Sequence, residues 1–223
     1  MTEQTIVIAA ARRTPIGAFQ GALSTVPAPD LGATAAAAAI KDAGIKPEDI
    51  SEVIFGCVLP AGLGQAPARQ AALAAGIPNS VGCTTINKVC GSGMKAVMMA
   101  SDLIRAGSAD IVLAGGMESM SNAPYLMPKA RTGYRMGHQQ VLDHMFFDGL
   151  QNPYDNNMMG HFAEQTVDRY QFSREEQDAF SIASVRRALE ATRKGDFEAE
   201  IVPVLVRTRR EETRVERDEE PYR

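Results

Sequence analysis

The sequence predicts an α/β fold, with a mainly parallel mixed sheet covered by helices on both faces. Two observations carry this. Short apolar runs alternate with helical stretches through the first half of the chain, and strands that alternate with helices imply crossover units. The helical stretches are also bounded by residues that start and stop helices.

In order, residues 5–11 read as a buried strand, and Asp30 reads as the N-cap of an alanine-rich helix over 31–43 that Gly44 stops. A second strand spans 52–59. Pro67 reads as a first-turn proline opening a helix over 68–75, which Gly76 ends. A third strand covers 82–87, a helix covers 91–106 and closes at Gly107, and a fourth strand covers 110–114. Residues 117–157 are rich in Met, Gly, Pro, Asn and aromatic side chains without a clean period, and so long an irregular stretch within a compact domain points to function. Methionines there suit adaptable packing, against another subunit or a flexible ligand. Helical pattern returns over 158–169. Ser173 and Glu176 then form a capping box before a helix over 174–194, with Phe180, Ala183, Val185, Ala188 and Leu189 near one face and a stop at Gly195. Residues 201–206 read as a strand, and 207–223, with interleaved charges, as a solvated loop or exposed hairpin. The chain thus divides into 1–120, carrying the sheet, and 121–223, a loop domain incomplete at its C-terminal end.

Composition excludes several classes. Hydrophobic residues make up 45% and charged residues 22%, as in a globular protein with a sizeable core. A net charge of -4 leaves no footprint for nucleic acid or an anionic membrane surface. No run approaches the roughly 18 consecutive apolar residues of a membrane-spanning helix. The N-terminal arginine pair follows the apolar run instead of preceding it, the wrong order for a signal peptide. Three cysteines without such a signal suggest free thiols in a reducing compartment, with the cytosol as the expected address. They show no paired spacing with each other or with histidine, so no metal site is expected.

The informative segment is TTINKVCGSGMKAV, residues 84–97. An apolar strand runs into Cys90, then Gly91, Ser92 and Gly93, then a helix. This puts Cys90 on a strand-to-helix turn at the positive end of a helix dipole, where unpaired backbone N–H groups favour a thiolate. The glycines let a substrate carbonyl approach the backbone, and the Cys90 N–H is placed to stabilise a developing oxyanion. The bland alternative is a small buried hydrophobe. Cys57, inside VIFGCVL, and Cys83, before TTIN, fit that alternative well; Cys90 fits it less well. Geometry alone leaves nucleophile and packing residue about even.

The segment NKVCGSGMKAV resembles the active-site signature of the thiolase family, and other stretches agree in order and spacing: AARRTPIGAF, GQAPARQAALAAGIP, GGMESMSNAPYL and SREEQDAFSIAS leading to EIVPV. The resemblance covers essentially the whole chain, and LMPKARTGYRMGH followed by DHMFFDGL is most similar to the acetyl-CoA acetyltransferase type. It implies a layered fold of two similar halves, of which this chain carries the first with its inserted loop domain. It also implies that Cys90 accepts an acyl group from acetyl-CoA or another acyl-CoA, which is substrate and not cofactor; no cofactor is expected. A second acetyl-CoA, as a carbanion, then attacks the acyl-cysteine to give a 3-ketoacyl-CoA. By match, Leu150 and Met159 line the pantetheine channel and Arg223 packs against the nucleotide. The activating histidine and acid/base cysteine of such enzymes lie in the second half, and His138, His144 and His161 are poor substitutes, suited to surface or packing roles. The resemblance implies a homodimer or homotetramer. Two other readings are a non-catalytic or split fragment that works with a partner chain, and a cysteine hydrolase or thiol redox protein, which needs a histidine aimed at Cys90 or a resolving cysteine.

Overall fold

A computed structural model describes residues 5–207 and 211–223. The order of elements is α1 (Ala28–Ala43), β1 (Glu52–Gly56), α2 (Pro67–Ala74), β2 (Gly82–Ile86), α3 (Ser92–Arg105), β3 (Val112–Gly116), the short pair β4 (Tyr125–Leu126) and β5 (Leu142–Asp143), α4 (Met159–Tyr170), α5 (Arg174–Lys194), and the pair β6 (Val204–Arg207) and β7 (Glu212–Val215).

β1, β2 and β3 form a parallel sheet in the order β2-β1-β3, with Val53 opposite both Cys83 and Leu113. Alternation along β1 divides the core. Val53, Phe55 and Cys57 pack with Ala36 and Ile40 of α1 and with Ala68, Ala71 and Ala72 of α2. Ile54 is buried as well, and so are Ala96 and Ala100 of α3, the helix packed against β1 and β3. Helices therefore cover both faces of the sheet, as the alternating pattern predicts. A second core joins the chain's ends: Leu23 and Leu31 pack on Val204, Val206 and Val215.

Helix ends follow local chemistry closely. Gly44 and Gly195 cap α1 and α5 in the left-handed conformation, at φ 66° and φ 80°. Pro67 is the first residue of α2. Ser173 and Glu176 make the reciprocal capping box. Asp30 does not cap α1. The helix starts three residues earlier than expected, at Ala28, with Pro27 at the cap and Pro29 in the first turn, where its missing N–H costs nothing. Asp30 sits in that turn, where its charge complements the helix dipole.

Other expectations are corrected. Residues 5–11 join no sheet, and Val7 and Ile8 are 74% and 78% exposed. Among the described residues β1 pairs only with β2 and β3, and the N-terminal run pairs with none of the three. α5 forms as expected, but its apolar residues are not a core face: none is buried, and Phe180 is 74% exposed. Residues 117–157 hold 3-10 turns, the β4–β5 pair and a π-helical turn, Met145–Leu150. Of the expected loop or hairpin over 207–223, residues 208–210 lie outside the described residues. The rest pairs as β6 and β7 and ends in a 3-10 turn. There the acidic pair Asp218 and Glu219 organises the segment after the N-terminal run. Asp218 binds Arg13 through both guanidinium NH groups at 2.7 and 2.9 Å and accepts from the Ile16 N–H. Glu219 accepts from the N–H groups of Ala18 and Ala22. Among the described residues no helix is long and apolar enough to cross a membrane.

Candidate active site

All three parallel strands end at the same edge of the sheet, and α3 begins there. In open α/β sheets the crevice beyond the strand ends is where ligands bind. The turn that joins β2 to α3 carries Cys90, and its backbone is strained. Val89 has φ 48°, a left-handed conformation costly for a β-branched residue. Neighbouring side chains hold it. The Asn87 side-chain oxygen accepts from the Val89 N–H at 2.8 Å, and the Ser92 hydroxyl accepts from the Lys88 N–H at 2.8 Å while donating to the Val89 carbonyl at 2.6 Å. Ser92 is buried, whereas Cys90 is exposed.

Glycines set how closely α3 approaches the strands. A methyl group on Gly56 would lie 2.4 Å from Ser92 Cβ, and one on Gly116 would lie 3.5 Å from Gly93 Cα. The N-terminus of α3 is therefore seated close against the main chain of β1 and β3, with the buried Ser92 Cβ facing Gly56 and main chain facing Gly116.

Cys90 opens onto a pocket of about 390 Å³, whose walls include Val58, Leu59, Met120, Met145 and Leu150. Glu118, just beyond β3, reaches across to the loop after β1 and accepts from the N–H groups of Val58 and Leu59 at 2.8 and 3.0 Å. The other two thiols sit in different surroundings. Burial pushes the Cys57 thiol up to about 12, and the neighbouring Glu118 carboxylate adds to the effect. Burial also raises the half-buried Cys83 thiol, with the Glu52 carboxylate acting in the same sense against the opposing influence of Arg69. Both match the packing role expected of them.

The structure brings Cys90 and Leu150 into one pocket. Met159, at the start of α4 and 48% exposed, and Arg223, exposed after the last turn, do not line it. Among the described residues no histidine lines the pocket either. His138 and His161 are exposed, and His161 bonds to Gln165. His144 is buried behind the pocket wall, paired with Asp148. Sequence reading missed Glu118, Val58 and Leu59, which converge only through tertiary contacts. Only Glu118's place in GGMES, directly after an apolar run, was a signal for it. Among the described residues no group of three or more His, Cys, Asp or Glu side chains is placed to hold a metal ion.

Comparison with known proteins gives a consistent picture. The family model for the thiolase N-terminal domain matches residues 6–223. An acetyl-CoA acetyltransferase from Chromobacterium violaceum is 53% identical over 205 residues, covering 92% of this chain and 52% of that protein. A probable acetyl-CoA acyltransferase from Staphylococcus aureus is 50% identical over 207 residues, 93% of this chain and 53% of that one. The Acat5 thiolase from Ascaris suum, solved in complex with coenzyme A, superposes with a TM-score of 0.91 at 43% identity, covering 97% of this chain and 55% of that one. The chain thus spans about half the length of the curated relatives it matches.

Proposed function

Since the chain belongs to the thiolase family, as its N-terminal domain, we propose that it carries the nucleophilic half of an acyltransferase site that makes or cleaves short 3-ketoacyl-CoA thioesters. The observation that carries this is the position of Cys90: an exposed thiol on a strained strand-to-helix turn, at the mouth of a mostly apolar pocket. A mostly apolar pocket suits the acyl-pantetheine arm of coenzyme A, and the Ascaris suum relative was solved with coenzyme A.

In this reading the Cys90 sulfur attacks the thioester carbonyl of acetyl-CoA. The new bond is S–C(acyl), the bond to the coenzyme sulfur breaks, and the thiol proton of Cys90 leaves with the departing CoA. A second acetyl-CoA gives up an α proton to a base, and its carbanion attacks the acyl-cysteine carbonyl. Acetoacetyl-CoA departs, and the proton taken by the base returns to the Cys90 sulfur, which regenerates the thiol. The covalent step divides one difficult reaction into two easier ones. The Cys90 N–H, just before α3, is the proposed donor to the oxyanion. Leu150 forms part of the slot wall, and a homo-oligomer is the proposed assembly.

A second reading is favoured by one observation, the absence of any histidine from the pocket lining among the described residues. In that reading the chain acts as one part of a split site, with the base on a partner chain.

Exposure to acetyl-CoA followed by peptide mass spectrometry tests the first reading. The expected result is an adduct of about 42 Da, one acetyl group replacing a proton, on Cys90. Adduct on Cys57 or Cys83 with Cys90 unmodified overturns it. The chain alone is expected to show little or no turnover; thiolysis of acetoacetyl-CoA by the chain alone removes the need for a partner.

A further inference from the structure

His144 is 4% exposed and has a partner at each ring nitrogen. Its Nδ1 lies 2.6 Å from Asp148 Oδ2, and its Nε2 accepts from the Ala61 N–H at 3.3 Å. A backbone N–H can only donate, so Nε2 carries no hydrogen and Nδ1 carries the one that goes to Asp148. The carboxylate therefore selects the imidazole tautomer, and the tautomer selects what the far side of the ring can hold.

What it holds is a pocket wall. His144 immediately precedes the π-helical turn that supplies Gly149 and Leu150, and Ala61 lies in the loop that supplies Val58 and Leu59. The two walls abut: a methyl group on Gly149 would lie 3.4 Å from Leu59 Cδ2. Glu118 fixes the loop from the other side through the Val58 and Leu59 N–H groups, and the Asp143 carboxylate accepts from the Met145 N–H at the start of the turn. We infer that His144, held by Asp148, is a positioning residue that locks the two walls of the Cys90 pocket at the separation an acyl-pantetheine arm requires. This rests on the acyl-CoA reading of the pocket, and it assigns the histidine a part that involves no proton transfer to substrate.

The test compares a chloroacetamide borne on pantetheine with 2-chloroacetamide itself, following alkylation of Cys90 by peptide mass spectrometry. Both reagents present the same electrophile, and only the first fills the slot. The unsubstituted chain is expected to react faster with the pantetheine reagent. Asp148→Ala, at a side chain that is 43% exposed and so tolerant of replacement, is expected to slow that reagent about fivefold, the effect of one hydrogen bond, and to leave the bare reagent within about twofold. His144→Gln, which keeps an acceptor toward Ala61, is expected to retain more of the preference than His144→Leu. Nitrogen-15 NMR of histidine-labelled chain is expected to show His144 as the Nδ1–H tautomer, shifting toward Nε2–H in Asp148→Ala. An Nε2–H tautomer in the unsubstituted chain, or equal slowing of both reagents, or no slowing, overturns the inference. Equal rates for the two reagents before any substitution overturn the acyl-CoA reading beneath it, whatever the tautomer.

Discussion

Gly56→Ala places a methyl group where the start of α3 already lies. Its Cβ would stand 2.4 Å from Ser92 Cβ, 2.9 Å from Ser92 C and 3.1 Å from Gly93 N. Two of these three are main-chain atoms and the third is fixed to the main chain, so no rotamer change relieves the contact. Restoring ordinary carbon–carbon separation requires the helix start and the end of β1 to part by about 1 Å. Overpacking of that kind costs about 2 kcal/mol, which for a chain of this length lowers the melting temperature by about 4–8 °C. The same displacement acts on Cys90, two residues before Ser92, and a 1 Å misplacement of a reacting group costs on the order of 100-fold in rate. Thermal unfolding reads the first effect, and the rate of Cys90 acetylation by acetyl-CoA reads the second. Gly160→Ala in α4, where an added methyl meets nothing within 4 Å, is the control and leaves both near the unsubstituted values. Unchanged melting and unchanged acetylation in Gly56→Ala would refute the close seating of α3 as the determinant of the thiol's position.

Two further outcomes are expected. Burial raises the Asp218 carboxyl, but the paired Arg13 guanidinium and the Ile16 N–H outweigh it and hold the carboxyl below its usual range. A carboxyl lowered by folding contributes stability that is present above its unfolded value and lost as pH falls through its folded one. Asp218→Asn should therefore cost about 2 kcal/mol at neutral pH, with the deficit shrinking in urea melts taken toward pH about 3; a deficit independent of pH counts against the ion pair. Val89→Gly removes the penalty of a β-branched residue at φ 48°. It should leave stability unchanged or raise it by about 1 kcal/mol while slowing Cys90 acetylation, because the turn is less tightly constrained. A faster acetylation would show that the strain is no part of the thiol's placement.

Much of this architecture was legible because its determinants are local. Gly44 and Gly195 stop helices through their own backbone freedom, Ser173 and Glu176 close a box within one turn, and the strand-turn-helix around Cys90 lies within a dozen residues. What stayed hidden depends on distant partners. Residues 5–11 have the composition of a strand, but a strand also needs a pairing partner, and composition does not say whether the fold brings one alongside. α5 has helical spacing but no covering layer over Phe180. Asp30 has the right chemistry for a cap, yet the prolines at 27 and 29 move the helix start past it. Glu118 and His144 become part of the site only because the fold brings residues 57–61 between them.

The seam between α3 and the strand ends is made of main chain and the buried Ser92 Cβ, and this separates two properties of the pocket that are usually entangled. In the proposed reading the Cys90 sulfur is located by the close contacts of α3 at Gly56 and Gly116, whereas the pocket is shaped by the side chains of Val58, Leu59, Met120, Met145 and Leu150. Replacing a wall residue changes which acyl groups fit without re-aiming the thiol. Enlarging a seam glycine re-aims the thiol whatever the walls are. On the proposed acyl-transfer reading, preference among acyl groups is thereby free to drift over evolutionary time, or to be redesigned, while the placement of the thiol stays fixed.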